Sequence, residues 1–228
     1  MAPVEERHEE REQVLRHRLL RLGMWSAWAI VAFSIAYISL VAGSGALSGA
    51  PKDPLWAAAE AVTVVGAPLQ VVLFAVIYQL SPAPARIWGL LAFGFMLAMA
   101  ALTTTVHLTE LLVARRIDVA SDPALGSIFD FTQPSLAFAA DVTAWHFLFG
   151  LSLLFAGLAF PGPGTTAYLR GGFLLGGVLC LVGLIGPVLG NSYLRLIGVF
   201  GYGVVFPLLC VLIGFNFRSK SRVVDPGR

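Results

Sequence analysis

The 26 residues from Leu55 to Leu80 read LWAAAEAVTVVGAPLQVVLFAVIYQL and contain one charged side chain, that of Glu60. About 20 apolar residues in a helix are enough to cross the ~30 Å hydrocarbon core of a bilayer. The stretch therefore predicts a transmembrane helix. Comparable runs occur on both sides of it, which gives six predicted spans. They cover about 23–42, 55–80, 87–113, 135–160, 171–190 and 194–217.

The composition of the whole chain agrees with this prediction. Hydrophobic residues make up 57% and charged residues 12% of the 228 residues, half of the ~25% charge that is usual in soluble domains. No segment alternates apolar and polar residues as the strands of a membrane barrel do. The formal net charge of +2 is too small to indicate nucleic-acid binding. We expect an all-α integral membrane protein, a six-helix bundle whose partners include membrane lipids and no nucleic acid.

The charges also predict an orientation, because basic residues are enriched on the cytoplasmic side of membrane proteins. A six-span topology places most of them on the side of the two termini. They are Arg7, Arg11, Arg16, Arg18, Arg21, Arg86, Arg170, Arg218, Lys220 and Arg222. We therefore expect a multi-pass protein of the cell membrane, of the bacterial inner-membrane type, with cytoplasmic termini. Its parts are a short charged amphipathic helix (1–22), the transmembrane domain (23–217) and a basic tail (218–228).

Four ionisable residues fall at similar depth in three of the predicted spans. Counting ~1.5 Å per residue from the outer loops puts Glu60, His107, Glu110 and Asp141 in the outer half of the membrane. Thr103, His107 and Glu110 follow i, i+4, i+7 spacing, so one face of the third span is polar. Ionisable groups in hydrocarbon are costly, and they are a functional-site hypothesis by default.

This layer suggests acid–base chemistry on a hydrophobic substrate. A carboxyl group screened from water holds its proton and can act as a general acid near neutral pH. We expect Glu60 and Asp141 to be the acid–base pair, with His107 relaying the proton and Glu110 supporting it. The substrate would be a lipid or an isoprenoid, beneath the long outer loop 114–134. The predicted substrate-binding residues are Trp56, Thr103, Phe138, Trp145, His146, Phe149 and Arg195.

Other interpretations of the same residues remain open. They could line the path of a proton-coupled carrier or channel, bind a haem or metal ion in a subunit of a larger complex, or hydrogen-bond only to hold the helices together. The metal signal is weak because no HExxH motif is present and no predicted span contains an ExxH motif, so we assign no metal ligands and no cofactor. Glycines at 172, 176, 186 and 190 suggest close helix packing and a possible homo-oligomer through the fifth span. No motif is specific enough to indicate a family.

Overall fold

A computed structural model describes residues 4–46, 52–131 and 135–224, and six of its helices are long and apolar enough to cross a membrane. Span 1 is α1 (Val4–Ser44), span 2 is α2 (Leu55–Leu80) and span 3 is α3 (Arg86–Leu112). A short helix, α4 (Pro123–Phe129), follows span 3. Span 4 comprises α5 (Leu136–Val142), a π-helical turn (Thr143–Leu148) and α6 (Phe149–Leu158). Span 5 comprises α7 (Thr165–Gly183) and α8 (Ile185–Val188). Span 6 comprises α9 (Ser192–Phe200), a π-helical turn (Gly201–Val205) and α10 (Phe206–Val224).

These elements confirm the predicted all-α, six-helix membrane architecture. The main difference lies at the N-terminus, where the charged segment and the first span form one continuous helix of 41 residues. At ~1.5 Å per residue such a helix is about twice as long as the hydrocarbon core is thick. The charged segment therefore continues the axis of span 1 within the same helix.

The six spans form a closed ring in chain order. Each span packs against the next one, and span 1 also packs against span 6. Because successive spans run in opposite directions, both ends of the described chain lie at one end of the bundle, here called the terminal end. The other end carries the connections after spans 1, 3 and 5 and is called the loop end.

Aromatic side chains fill the middle of the ring. Phe74 of span 2 contacts Phe173 of span 5 and Phe206 of span 6, with ring centroids 6.1 and 6.2 Å apart. Phe149 of span 4 meets Phe206 edge to face at 5.0 Å. All four rings are 2% exposed or less. This phenylalanine cluster makes a close-packed apolar layer between the two ends of the bundle.

The glycines of span 5 allow close packing against spans 4 and 6 of the same chain. A methyl group added at Gly172 would collide with Leu209 of span 6, and one at Gly176 would lie 3.1 Å from Leu153 of span 4. Gly190 has a positive φ of 64° in the turn between spans 5 and 6, a backbone conformation that favours glycine. The homo-oligomer through span 5 stays a prediction, and the contacts of these glycines give it no support.

Candidate functional site

Three of the predicted residues meet at the loop end in one chain of contacts, here called the triad. Nδ1 of His107 donates to Oε2 of Glu60, and Nε2 of His107 lies 3.5 Å from Oδ1 of Asp141. The second distance exceeds that of a hydrogen bond but is within ion-pair range. The imidazole therefore lies between two carboxyl groups that come from different spans.

The positions of the triad residues follow from helix geometry. Glu60, His107 and Asp141 each lie five residues from the loop end of their helix, so the constant helical rise puts them at one depth. Span 3 packs against span 2 on one side and span 4 on the other, which brings His107 between its two partners. The contacts between them show that the three residues share one layer of the bundle, while the depth of that layer in the membrane stays a prediction.

The polar face of span 3 points into the protein, as its spacing predicts. Thr103 is fully buried, and its hydroxyl has no hydrogen-bond partner among the described residues. Glu110 lies one turn from His107 towards the loop end, and its Oε1 is also buried and unpartnered there. Thr105 and Thr109 differ, because each hydroxyl donates to the carbonyl four residues earlier in its own helix. Only the inward residues thus supply polar groups to the site.

An aromatic pair from the loop end covers His107. Phe131, just after α4, stacks on the imidazole with centroids 5.8 Å apart and 25° between the planes. Trp56, in the first turn of α2, contacts the edge of Phe131 at 6.4 Å. The expectation that the loop 114–134 covers the polar layer is met by Phe131, while residues 132–134 lie outside the described part of the chain. This cover separates the triad from the loop end.

The triad also has neighbours from spans 1 and 6 that the sequence analysis missed. The phenol of Tyr37 interacts electrostatically with Asp141 and Glu60, and that of Tyr202 interacts with Asp141 and Tyr37. Each is an isolated polar group in an apolar span, which is the signal that could have identified them. Their contribution depends on ring closure, which brings spans 1 and 6 to the side of Asp141.

His146 occupies a separate position. Its ring packs against Gly183 of span 5 and Gly198 of span 6, where added methyl groups would collide with it. Nε2 donates to the carbonyl oxygen of Arg195 at 3.4 Å, and Nδ1 has no partner among the described residues. The ring lies edge-on to Tyr202 at 5.5 Å. His146 therefore packs in the interface between spans 4, 5 and 6. Among the described residues, it makes no contact with the triad.

The remaining predicted substrate-binding residues divide into two groups. Phe138 is buried beneath the guanidinium of Arg195, 5.3 Å from its ring centroid, and Trp145 contacts Tyr202 at 5.2 Å. These three remain near the loop end. Phe149 does not, because it is fully buried in the phenylalanine cluster. Its ring packs on Phe206 and has no exposed surface, so its substrate-binding role stays a prediction that these contacts do not support.

Spans 4 and 6 each contain a π-helical turn near the site. Thr143–Leu148 in span 4 contains Trp145 and His146, and Gly201–Val205 in span 6 contains Tyr202. Such turns shift the rotation of the residues that follow, and they occur often at functional sites. In this protein the two turns contain the aromatic and imidazole rings that contact one another between spans 4 and 6.

An exposed ion pair joins the helices that carry Glu60 and His107. Arg115, after span 3, donates to Asp53, before span 2. Asp53 also accepts from the backbone N–H of Ala57. The Arg115 guanidinium lowers the pKa of the Asp53 carboxyl below its ordinary value of 3.8. Because the side chain of Asp53 is 58% exposed, the stabilisation is small, about 1 kcal/mol or less.

This pair gives a prediction with a defined pH dependence. A lowered folded-state pKa means that the contribution is present above pH 3.8 and is lost as the pH falls through the lower, folded value. Asp53→Asn should lower the melting temperature slightly at pH 7, and the difference from the unchanged protein should shrink on acidification. Thermal unfolding of both proteins in detergent, from pH 7 to below pH 3.8, measures this difference in melting temperature. A difference that is independent of pH would contradict the assignment to the ion pair.

The donor groups at the site do not form a metal site. Among the residues that the structure describes, no group of three or more His, Cys, Asp and Glu side chains is arranged to hold an ion. Both nitrogens of His107 face carboxyl groups, so this imidazole is not free to be an axial haem ligand. The haem and metal interpretation therefore has no support from His107.

Comparisons with known proteins add no functional information. No family model matches the chain, and neither a curated protein nor a solved structure is significantly similar to it. The function must therefore be argued from the site itself.

Proposed function

We propose that the protein is a membrane enzyme that performs acid–base chemistry on a lipid or isoprenoid at the loop end of its bundle. The observation that carries this proposal is the triad, an imidazole held between two carboxyl groups within apolar helices. A single buried pair would suffice to hold two helices together. Two carboxyl groups on one imidazole, with the unpartnered Glu110 beside them, are costly in hydrocarbon and favour a use in proton transfer.

The exposure of the three residues assigns their roles. The side chain of Asp141 is 19% exposed, against 6% for His107 and 2% for Glu60. Asp141 is therefore the group that a substrate can reach, and it is the proposed general acid and base. When Asp141 takes a proton from the substrate, it passes that proton to Nε2 of His107. Glu60 then stabilises the resulting imidazolium through Nδ1–H, as the carboxylate of a hydrolase triad does.

The relay conserves protons when the proton returns to the substrate at a different atom. Such a step belongs to isomerisation, and cyclisation and hydrolysis also use a positioned acid and base. Tyr37 and Tyr202 lie within electrostatic range of Asp141, and Phe138 and Trp145 add aromatic surface at the same end of the bundle. Rings of this kind can bind an apolar chain or stabilise a developing positive charge. The neighbourhood of Asp141 is therefore suited to a substrate with an unsaturated hydrocarbon part.

The phenylalanine cluster favours an enzyme over a proton-coupled carrier. A carrier needs polar groups or water from one end of the bundle to the other. Below the triad, Phe74, Phe149, Phe173 and Phe206 close the ring with buried aromatic surface. A polar site on one side of a closed apolar layer fits local chemistry better than a path for transport.

We also propose an orientation of the protein in the membrane. Because most basic residues lie at the terminal end, both termini are cytoplasmic by the positive-inside rule, and the triad lies in the outer half of the cell membrane. The substrate would reach Asp141 from the outer leaflet. Labelling of single cysteines placed at the two ends of the bundle, in intact cells, tests this orientation.

The activity is tested with the molecule that the protein itself selects. Native mass spectrometry of the detergent-purified protein identifies any retained lipid or isoprenoid, which is then offered as substrate. Asp141→Asn should lower turnover by about 10²-fold or more, because that is the usual contribution of general acid–base catalysis. Asp118→Asn, the same change at an exposed loop position, is the matched control and should keep full activity.

Two results would contradict the enzyme proposal. Full activity in both Asp141→Asn and Glu60→Gln would remove the triad from the chemistry. Transport of the retained molecule or of protons in proteoliposomes, without conversion to a product, would favour the carrier.

A further inference from the structure

A cavity at the terminal end lies on the far side of the phenylalanine cluster from the triad. Its volume is about 170 Å³, roughly six times the ~30 Å³ that a water molecule occupies in the liquid. Side chains from spans 1, 2, 5 and 6 line it, together with the residues that follow span 4. The cavity is therefore enclosed by most of the ring and has room for a small headgroup.

The floor of this cavity is apolar. Leu20 of span 1, Ile77 of span 2, Leu169 of span 5 and Phe217 of span 6 line it, and each of them is 3% exposed or less. Because these side chains are already buried, a ligand at the floor gains close contacts with them and covers little exposed hydrocarbon. The floor would suit any apolar group. The residues at the rim of the cavity therefore determine which class of ligand binds.

The rim is cationic. Arg16 of span 1 and Lys220 of span 6 line the cavity, and neither forms an ion pair with a carboxylate in the described part of the chain. No acidic residue is among those that line it. Thr166 adds a hydroxyl group on the first turn of α7, and the Gly164 N-cap of that helix supplies no side chain to its free N–H groups. All these groups favour an anion.

We propose that the terminal-end cavity is a binding site for a phosphate group, most simply the headgroup of an anionic lipid. Arg16 and Lys220 bind the phosphate oxygens, and the first carbons of the lipid lie against Leu20 and Phe217. Bound in this way, the ligand joins spans 1 and 6 at the end where the ring closes. This site is distinct from the triad and does not depend on the proposed enzymatic activity.

Thermal unfolding of the full chain in detergent tests the site with three probes. They are inorganic phosphate, dihexanoyl phosphatidic acid and, as a zwitterionic control, dihexanoyl phosphatidylcholine. A ligand that binds the folded state raises the melting temperature in a saturable way. We expect phosphatidic acid to do so more strongly than phosphatidylcholine. Saturation by inorganic phosphate at similar concentrations would identify a free anion as the source of the phosphate group.

Charge variants distinguish binding at this site from a general electrostatic attraction between the protein and an anionic ligand. The double variant Arg16→Gln/Lys220→Gln should weaken binding at least tenfold. Arg86→Gln/Arg218→Gln removes the same charge from exposed positions at the same end that do not line the cavity, and it should change binding less than twofold. All four changes lie on exposed side chains, so the unliganded variants should unfold near the same temperature. Equal weakening in both double variants, or no saturable stabilisation by either phosphate probe, would overturn the proposal.

Discussion

His107→Leu is expected to destabilise the folded protein by about 3–5 kcal/mol, the usual result of removing one partner from a buried charged pair. The substitution leaves Glu60, which is 2% exposed, without the imidazole that donates to it. It also leaves Asp141 without the imidazole that lies within ion-pair distance of it. The free energy of unfolding, measured by denaturant titration in mixed micelles with circular dichroism, reports the loss.

A double variant distinguishes a broken pair from a general packing defect. Glu60→Leu/His107→Leu replaces both members by apolar side chains, a change that is often neutral or stabilising for buried pairs. It should therefore be more stable than His107→Leu alone. His17→Leu makes the same substitution at a half-buried histidine of span 1, away from the triad, and should cost about 1 kcal/mol or less. A double variant no more stable than His107→Leu would contradict the pairing of Glu60 and His107.

Gly186→Ala and Gly183→Ala are expected to cost about 3 kcal/mol each, at the top of the usual range for overpacking. A methyl group at Gly186 would lie 2.7 Å from the carbonyl oxygen of Asn191 and 2.8 Å from Cα of Arg195. One at Gly183 would lie 2.5 Å from N and Cα of Gly198. The obstacles are backbone atoms of span 6 and the turn before it, which cannot rotate aside as a side chain can. Both variants should unfold at clearly lower temperature.

Gly94→Ala is the matched control for these two changes. Gly94 lies within the helix of span 3, and a methyl group there would meet no atom within 4 Å. Alanine is intrinsically better than glycine in a helix by about 1 kcal/mol, so this variant should be as stable as the unchanged protein or more so. If all three variants lost stability equally, the close approach of spans 5 and 6 would be contradicted.

The same contacts explain why His146 could be located only in part from the sequence. Its depth, near the middle of span 4, follows from counting residues along a helix. Its surroundings do not, because they depend on two glycines that lie 37 and 52 residues further along the chain, Gly183 and Gly198. The π-helical turn Thr143–Leu148 also alters the direction in which the ring points, and no residue pattern in the sequence indicates that turn.

The spans, and the layer of the bundle in which each polar residue falls, could be predicted from the sequence alone. Both are local properties, since hydropathy over about 20 residues decides which segments cross the bilayer and the constant helical rise then sets depth. For this reason Glu60, His107 and Asp141 could be placed in one layer, and the polar face of span 3 could be expected to point inward.

Which side chains contact one another within that layer depends on the packing of the six spans. Closure of the ring brought Tyr37 and Tyr202 within electrostatic range of Asp141 and Phe149 into the phenylalanine cluster, and the fold of the connection after span 3 placed Phe131 on His107. The same closure formed the cavity with Arg16 and Lys220 at its rim. Lipid is as apolar as the helix surfaces, so burial of hydrocarbon does not select the neighbour of each span. Close packing at small residues and contacts between distant polar groups make that selection, and these are not local in the sequence.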